Sequence, residues 1–390
     1  MEHLDCLFVY LSAGPRHRAY LNDCNHFMKC GLIQVAQKEE KYPWSSEVTL
    51  ECVQDIVGEQ IPRTRSESRV AVRAFEKILD RYNPAVVFFG GYDPPFMREF
   101  ARRTVRSGRV SILMSDSTYH DRPRNPIKEH LKKWILRKIY HGALCSGILS
   151  KRYLQHLGFT DSLIWHGVDA IDNEHYASRA RQARADLSQR VRLGLPSEYI
   201  LCVARHSPEK DIDTLLRACA GVFRGRPECR LVLCGTGPMT DDLRQTAEIL
   251  GLGSRVHFIG WVSYDEMPFY YAYAKVSVLP SISEPWGLVV NESMSCGTPV
   301  IASTRCGCSP ELIRRGVSGY NIVPGDAREL ERILCYVLQG VLGQDVIAQC
   351  MSVVAPWSIR NQTLGIIDCV NRFGAIIKQA HLTNSQSSRL

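Results

Sequence analysis

Two glutamates with seven residues between them stand beside a proline, a tryptophan and a glycine in the segment SEPWGLVVNE. Glu284 follows a short apolar run that ends at Pro280, which is typical of a buried strand, and Glu292 falls on the helix that we expect after Gly287. The first amides of that helix have no partner within it and can bind an anion. A carboxylate only accepts hydrogen bonds, so sugar and ribose hydroxyls suit the glutamates better than phosphate does. The spacing therefore predicts a site for a sugar joined to a diphosphate.

More candidate residues follow other strand-like runs in the second half of the chain. Arg205 ends the run CVAR, and Lys210 lies in the loop before the next helical pattern. Three further positions next to strand ends are glycines, and one is a tryptophan: Gly235, Gly237, Gly260 and Trp261. Open sheets of parallel strands bind ligands at the carboxyl ends of their strands, so we expect all these residues to meet at one edge.

The elements that position them alternate along the whole chain. Short apolar runs separated by helical patterns are predicted as strands at residues 6–11, 85–90, 110–114, 199–204, 231–234, 256–259, 276–279 and 299–302. This alternation is typical of an α/β fold with parallel sheets and helices on both faces. About nine or ten strands would be unusual in one sheet. We therefore predict two sheets, with a boundary in the Arg-, Ala- and Ser-rich residues 177–197.

The composition is that of a globular protein, with 390 residues, 45% hydrophobic and 23% charged. The 15 cysteines form no CxxC pair, which favours a reduced, cytoplasmic compartment. The first residues resemble an initial strand and not a signal peptide. No apolar run approaches the ~20 residues that span a bilayer.

The net charge of +8 is concentrated in residues 101–152, where basic residues far outnumber acidic ones. The stretch that begins at Ile127 and ends at Tyr140 has a helical pattern and contains several lysines. Its apolar residues fall on one side of the helix: Ile127, Leu131, Trp134, Ile135 and Ile139. Such a helix can lie on an anionic membrane surface, on the inner face of the membrane. It can equally pack on the core with a solvated cationic back. No nucleic-acid-binding motif accompanies the charge.

The second half resembles the donor-binding domain of the glycosyltransferase family four enzymes, of the kind that build bacterial polysaccharides. The resemblance covers roughly residues 199–324. It includes the E-x7-E motif as Glu284 and Glu292, the basic pair Arg205 and Lys210, and the GxGP turn. It implies the GT-B fold, in which two Rossmann-like, doubly wound parallel-sheet domains face each other across a cleft. The first half resembles the family's acceptor domain more loosely.

The resemblance also implies a division of the chain. An N-terminal acceptor domain would take residues 1–176 and a C-terminal domain for the nucleotide-sugar donor residues 177–360. A helix at 361–381 would pack back toward the N-terminal domain, and residues 382–390 would form a frayed tail.

The family's chemistry gives each motif residue an expected role. Arg205 and Lys210 would contact the diphosphate and stabilise the charge of the leaving group. The amides near the start of the predicted helix would help them, at Gly287, Leu288 and Val289. Glu292 would accept hydrogen bonds from ribose, Glu284 would lie against the donor sugar, and the nucleobase would sit near Gly260 and Trp261. The resemblance implies retention of anomeric configuration, no metal and no cofactor besides the donor.

The first half offers fewer fixed points. Gly14 and Arg16 follow the first strand and would face the cleft, as a phosphate contact or simply as a loop. The family usually has a histidine near the reacting sugar. Here His120 comes a few residues late and Asp116 lies nearer the strand end, and the sequence leaves both open. The segment HGVD, which ends at Asp169, resembles an N-G-V-D segment of the family.

The pair Asp211 and Asp213 spells the D-x-D signature of metal-dependent sugar transferases. Asp213 stands where a helix should begin, so we predict an N-cap there and no metal site.

We therefore expect a glycosyltransferase of the hexosyltransferase type that acts on a glycan or lipid-linked glycan, with no nucleic-acid partner. The alternatives are a nucleotide-sugar epimerase on the same fold and a non-catalytic protein that binds sugar nucleotides or membranes.

Overall fold

The computed structural model describes residues 3–37 and 49–387, with side chains up to residue 374. In this part of the chain thirteen strands form two sheets. The strands of the first sheet are β1 (Cys6–Tyr10), β2 (Cys30–Ala36), β3 (Val53–Gly58), β4 (Val86–Gly90), β5 (Val110–Ser115), β6 (Gly142–Cys145) and β7 (Ile164–His166). Those of the second are β8 (Tyr199–Val203), β9 (Arg230–Cys234), β10 (Val256–Gly260), β11 (Val276–Leu279), β12 (Val300–Ser303) and β13 (Gly319–Ile322).

Helices connect the strands on both faces of each sheet. Those that accompany the first sheet are α1 (Pro15–Asn25), α2 (Arg65–Tyr82), α3 (Pro95–Arg106), α4 (Pro126–Ile139) and α5 (Ile148–His156). The others are α6 (Asn173–Ala185), α7 (Ser188–Arg192), α8 (Ile212–Gly225), α9 (Thr240–Ile249), α10 (Met267–Tyr273), α11 (Leu288–Ser295), α12 (Ser309–Leu312), α13 (Ala327–Val337), α14 (Val346–Val354) and α15 (Ile359–Ser387).

The strand order explains where a ligand can bind. The orders are β3-β2-β1-β4-β5-β6-β7 and β10-β9-β8-β11-β12-β13, and the paired strands are parallel. In each sheet the direction of winding reverses once, between β1 and β4 and between β8 and β11. The loops on the two sides of such a switch point diverge and leave a crevice at the carboxyl ends of the strands. The predicted α/β class with two parallel sheets is confirmed.

The last helix returns to the first sheet. The side chains of Ile366, Cys369 and Phe373 on α15 are buried in one cluster with Trp165 of β7. The indole Nε1 of Trp165 donates a hydrogen bond of 2.6 Å to Asp368. The helix extends to Ser387, into the segment for which we expected a frayed tail, and residues 388–390 lie outside the described part of the chain.

Helix α4 packs on the first domain with a different side from the one that the sequence suggests. Leu136 and Ile139 are buried, whereas Ile127, Leu131 and Trp134 are 81%, 55% and 56% exposed. The grouping of Ile139 with these three on one side is therefore wrong. Within the described residues, no helix has both the length and the hydrophobicity that a membrane span requires.

Candidate active site

Lys210 and Glu284 meet at the switch point of the second sheet. Lys210 ends the single helical turn Pro208–Lys210 after β8, and Glu284 lies in the loop after β11. The Nζ atom of Lys210 donates a hydrogen bond to Oε2 of Glu284, and the two side chains are only 18% and 13% exposed. Burial lowers the pKa of Lys210, but the Glu284 carboxylate outweighs this and raises it. Lys210 therefore stays protonated in the crevice, paired with the Glu284 carboxylate.

The loop that carries Glu284 is held by a neighbouring turn after β12. The amide of Gly307 donates a hydrogen bond of 2.9 Å to the carbonyl oxygen of Glu284. A Cβ atom at Gly307 would lie 1.8 Å from the carbonyl oxygen of Pro285. Only glycine allows the two backbones to approach this closely.

Gly287 joins this loop to α11. Its φ of +104° is left-handed, a conformation that favours glycine, and the helix begins at the next residue. A Cβ atom here would be 3.4 Å from Cγ of Glu284. The first amides of α11, at Leu288 and Val289, therefore start beside the Lys210–Glu284 pair.

Glu292 lies on α11 between two tyrosines. Its carboxylate accepts a hydrogen bond of 2.7 Å from the hydroxyl of Tyr271. Burial raises the pKa of Glu292, while the hydrogen bonds with Tyr271 and Tyr176 oppose the rise. These tyrosines come from α10 and α6, so two other helices fix the direction of the carboxylate.

A cavity of about 260 Å³ opens beside Glu292 at the ends of β8, β9 and β10. We call it the β8–β10 cavity, and its lining includes Arg205, Gly235, Trp261, Val289 and Glu292. Trp261 is 57% exposed, which leaves indole surface for a planar ring. The structure thus brings the exposed Arg205 and Glu292 into one cavity, and Val289 links that cavity to the Lys210–Glu284 pair through the start of α11.

The glycines of the GxGP turn allow strand ends to approach closely. A Cβ atom at Gly235, where φ is +126°, would lie 2.0 Å from the carbonyl oxygen of Ala204. At Gly237 it would lie 2.3 Å from the carbonyl oxygen of His206. The amide of Gly235 donates a hydrogen bond of 2.7 Å to the carbonyl of Gly260. These glycines therefore shape the cavity through the backbone.

A second cavity, of about 270 Å³, lies at the strand ends of the first sheet. We call it the β1–β5 cavity. Nη1 of Arg16 is 2.8 Å from Oδ1 of Asp169, whose Oδ2 accepts a hydrogen bond of 2.7 Å from Ser146. Arg16 lines this cavity and its neighbour Pro15 lines the β8–β10 cavity, so the start of α1 lies between the two. Gly14 precedes α1 and belongs to the turn that positions Arg16.

The structure separates the two candidates for the residue near the reacting sugar. Asp116 lines the β1–β5 cavity with Arg16 and Asp169. Burial, together with the Asp169 carboxylate, raises the pKa of Asp116 to about 7 against the opposing effect of Arg16. His120 lines a different cavity, described below. Asp116 is therefore the candidate that faces the crevice next to Arg16.

Comparison with known proteins agrees with this geometry. Residues 184–341 match the family described as glycosyl transferases group 1. These matched residues make up less than half of the chain. They contain Arg205, Lys210, Glu284 and Glu292, so the whole cluster at the ends of β8 and β11 lies within the matched region.

Two curated relatives match part of this chain. A GDP-mannose-dependent alpha-(1-6)-phosphatidylinositol monomannoside mannosyltransferase of Mycobacterium tuberculosis is 32% identical over 170 residues, which is 42% of this chain and 43% of the relative. A D-inositol 3-phosphate glycosyltransferase of Thermobifida fusca is 36% identical over 184 residues, 44% of this chain and 40% of the relative. The matched part therefore spans less than half the length of either relative.

Solved structures extend the likeness to nearly the whole chain. Anabaena HepE in complex with UDP and glucose superposes with a TM-score of 0.73 at 18% identity, covering 95% of this chain and 100% of that protein. Sucrose-phosphate synthase from Thermosynechococcus elongatus gives a TM-score of 0.68 at 19% identity and covers 97% of this chain and 99% of its own. The fold is GT-B.

The two aspartates of the D-x-D sequence make different contacts. The left-handed Asp211 precedes α8, whereas Asp213 lies inside its first turn and is 2.6 Å from Arg217. The predicted N-cap at Asp213 is therefore wrong by two residues. Among the described residues, no group of three or more His, Cys, Asp or Glu side chains is arranged to hold a metal ion.

The sequence did not single out the residues that orient the site in the absence of a ligand. Tyr176 and Tyr271 contact Glu292 from helices that carry no motif. Asp169 was noted only within HGVD, yet it is the partner of Arg16. The one available signal was its position directly after a strand, at β7.

We predict that Gly307→Ala destabilises the protein by about 1–3 kcal/mol, because the new methyl group would press on the carbonyl of Pro285 and displace the Glu284 loop. Urea unfolding gives the difference. The control is Gly225→Ala, since Gly225 in α8 has open space around its Cβ position. Equal stability of the two variants would contradict the account of the loop.

We predict that Asp116→Asn changes how stability depends on pH. The folded state holds the Asp116 proton up to about pH 7, whereas the unfolded chain releases it near pH ~4. The contribution of this group to the free energy of unfolding therefore falls as the pH rises from about 4 to 7. Relative to wild type, the variant should gain on the order of 1–3 kcal/mol between pH 5 and pH 8. Parallel urea titrations at the two pH values, with the exposed Asp345→Asn as control, would show no such gain if Asp116 were ionised throughout.

Proposed function

We propose that this protein is a metal-independent glycosyltransferase that moves a sugar from a nucleotide diphosphate sugar to a glycan or lipid-linked acceptor, with retention of anomeric configuration. The observation that supports it best is the meeting of two cations and two carboxylates at one switch point. Lys210 is buried against Glu284, and Arg205 shares a cavity with Glu292. In each pair, the cation can bind a phosphate and the carboxylate can accept hydrogen bonds from hydroxyl groups.

The proposed reaction depends on how the negative charge of the leaving group is stabilised. When the bond between the sugar and the diphosphate breaks, negative charge develops on the phosphate oxygen. Lys210, Arg205 and the amides at the start of α11 would stabilise this charge, which is the task that a metal ion performs in other transferases. Lys210 can exchange its bond with Glu284 for one with the phosphate, and this would release the Glu284 carboxylate for the hydroxyls of the sugar.

The rest of the β8–β10 cavity fits a nucleoside. Glu292, held by Tyr271, would accept hydrogen bonds from the ribose hydroxyls. Trp261 and the apolar lining beside Gly235 would contact the base. The sugar would then point toward Arg16 and Asp116 in the β1–β5 cavity, where the acceptor can approach.

The relatives support a nucleotide-linked donor without fixing its base. The name of the mycobacterial relative specifies GDP-mannose and a phosphatidylinositol mannoside, and the Anabaena structure contains UDP and glucose. We extend to this chain the shared features, which are a nucleoside diphosphate and a hexose, and propose a lipid-linked acceptor as the more specific possibility.

Lys210→Ala should lower kcat by about 10–100-fold, because one charge-assisted hydrogen bond to the leaving group contributes about 1.5–3 kcal/mol. Glu292→Ala should instead weaken donor binding, which a thermal-shift screen of nucleotide sugars measures. The exposed Lys275→Ala in the same domain is the control. Normal turnover in both site variants would remove the assignment.

The same assay tests the remaining parts of the proposal. Excess chelator should leave turnover unchanged, and NMR of the product should show the anomeric configuration of the donor. Strict dependence on a metal would bring Asp211 back into consideration. Conversion of the donor sugar without an acceptor would instead indicate the epimerase.

The outer face of α4 supports contact with an anionic membrane. Ile127, Leu131 and Trp134 follow each other at helical spacing and are exposed, and Nζ of Lys138 lies 3.7 Å from the centre of the Trp134 ring. The one acidic residue of the helix, Glu129, is buried and bonded to Lys132 at 2.6 Å. An apolar stripe with cations beside it suits the boundary between headgroups and acyl chains.

We predict that the protein floats with vesicles that contain phosphatidylglycerol and not with pure phosphatidylcholine. Trp134→Ser should reduce the bound fraction about tenfold, because burying such a side chain contributes ~1.5–3 kcal/mol. Ile249→Ser is a matched control, since Ile249 is 78% exposed on α9. Unchanged flotation of the Trp134 variant would show that the stripe is not the contact.

A further inference from the structure

A third cavity opens between the two domains and shares no lining residue with the β8–β10 cavity. It measures about 1020 Å³ and is lined from the first domain by the loop after β5 and from the second by the loops after β8, β11, β12 and β13. We call it the interdomain cavity. Its lining includes His120, Arg122, Ile282, Arg305 and Val323.

The strand order separates this cavity from the donor site. The β8–β10 cavity uses one half of the sheet edge, on the β9 and β10 side of the switch point. The interdomain cavity extends over the other half, on the β12 and β13 side, and reaches the switch point at Glu209 and Ser283, which are the chain neighbours of Lys210 and Glu284. Arg122 lines both the interdomain cavity and the β1–β5 cavity, so one extended ligand can reach from one to the other.

The charge in the interdomain cavity is unbalanced toward positive. Three arginines line it, Arg122, Arg124 and Arg305, against two acids. Asp121 is bonded to Arg124, whereas Glu209 accepts a hydrogen bond of 2.7 Å from the neutral Ser207 and keeps its charge. Arg305 is exposed on the wall contributed by the second domain.

The opposite wall adds two more basic groups. Arg122 lies 3.4 Å from an Asp93 that is itself 59% exposed, and His120 is exposed beside it. Two guanidinium groups on opposite walls, with an imidazole beside them, match the oxygen atoms of a phosphate.

Apolar side chains lie next to these cations. Ile282 and Val323 are 47% and 57% exposed at the cavity, and Tyr119 is 47% exposed on the other wall. Helix α4, with its exposed apolar stripe, begins at Pro126, shortly after Arg124. The cavity therefore offers a charged centre with an apolar border, and the helix that carries the stripe begins two residues after Arg124 of its lining.

We propose that the interdomain cavity binds a phosphate group of the acceptor between Arg305 and Arg122. The proposal that a phosphate binds here rests on the cavity alone. The proposal that this phosphate belongs to the acceptor rests on the proposed function. The sugar to be extended would occupy the β1–β5 cavity next to Asp116 while the phosphate sits beyond Arg122.

Calorimetric titration with dodecyl phosphate, below its micelle concentration, and with inorganic phosphate tests the site directly. Wild type should bind dodecyl phosphate, and Arg305→Ala should bind it about tenfold or more weakly, with partial recovery in Arg305→Lys. Arg205→Ala should bind like wild type because Arg205 belongs to the donor site. Arg328→Ala, an exposed arginine of α13, is the matched control.

The ranking of the two probes identifies the source of the phosphate. Tighter binding of dodecyl phosphate indicates a phosphate carried on an apolar chain, and equal binding indicates the anion alone. No binding by wild type, unchanged binding by Arg305→Ala, or a loss confined to Arg205→Ala would overturn the proposal. Donor binding measured on the same variants separates the two hypotheses, since it should fail in Arg205→Ala and survive in Arg305→Ala.

Discussion

The Lys210–Glu284 ion pair is the interaction on which the architecture of the site depends. A cation inside a protein loses its hydration and needs a partner of opposite charge. Here the partner comes from the loop after the adjacent strand, so one bond satisfies the charge and fixes two loops at the switch point. The close backbone contact at Gly307 and the left-handed conformation of Gly287 both hold the Glu284 loop in the position that this pair requires.

The first domain also contains a cation paired with a carboxylate, on the other side of the crevice. Arg16 is held by Asp169, and Ser146 in turn fixes the carboxylate. Both domains thus present a cation that is already oriented and neutralised by a neighbour from its own domain. Because these side chains are already oriented, an anionic ligand would bind at a lower cost of ordering the site.

The sequence predicted the parts of this structure that depend on local pattern. β8, β11 and β12 are short apolar runs, and the rule that ligands bind at strand ends predicted the edge at which Arg205 and Glu292 line one cavity. Five strands were missed: β2, β3, β6, β7 and β13. Of these, GALC, IWH and GYNI are short and lack a β-branched run, so only pairing with β5, β6 and β12 defines them. The tyrosines around Glu292 come from distant helices, and no spacing rule links them to it. On α4, two apolar stripes compete, and packing against the domain chose the one with Leu136.

The return of α15 to the first sheet makes the N-terminal domain discontinuous. Its cluster around Trp165 is completed by Ile366, Cys369 and Phe373, which the chain supplies only after it has built the second domain. A fragment that stops before α6 would leave this surface exposed to water. During synthesis, the core of the first domain would be completed only after the second domain has been made. A minimal fragment of the first domain would therefore need both the first sheet and the last helix, connected by a linker.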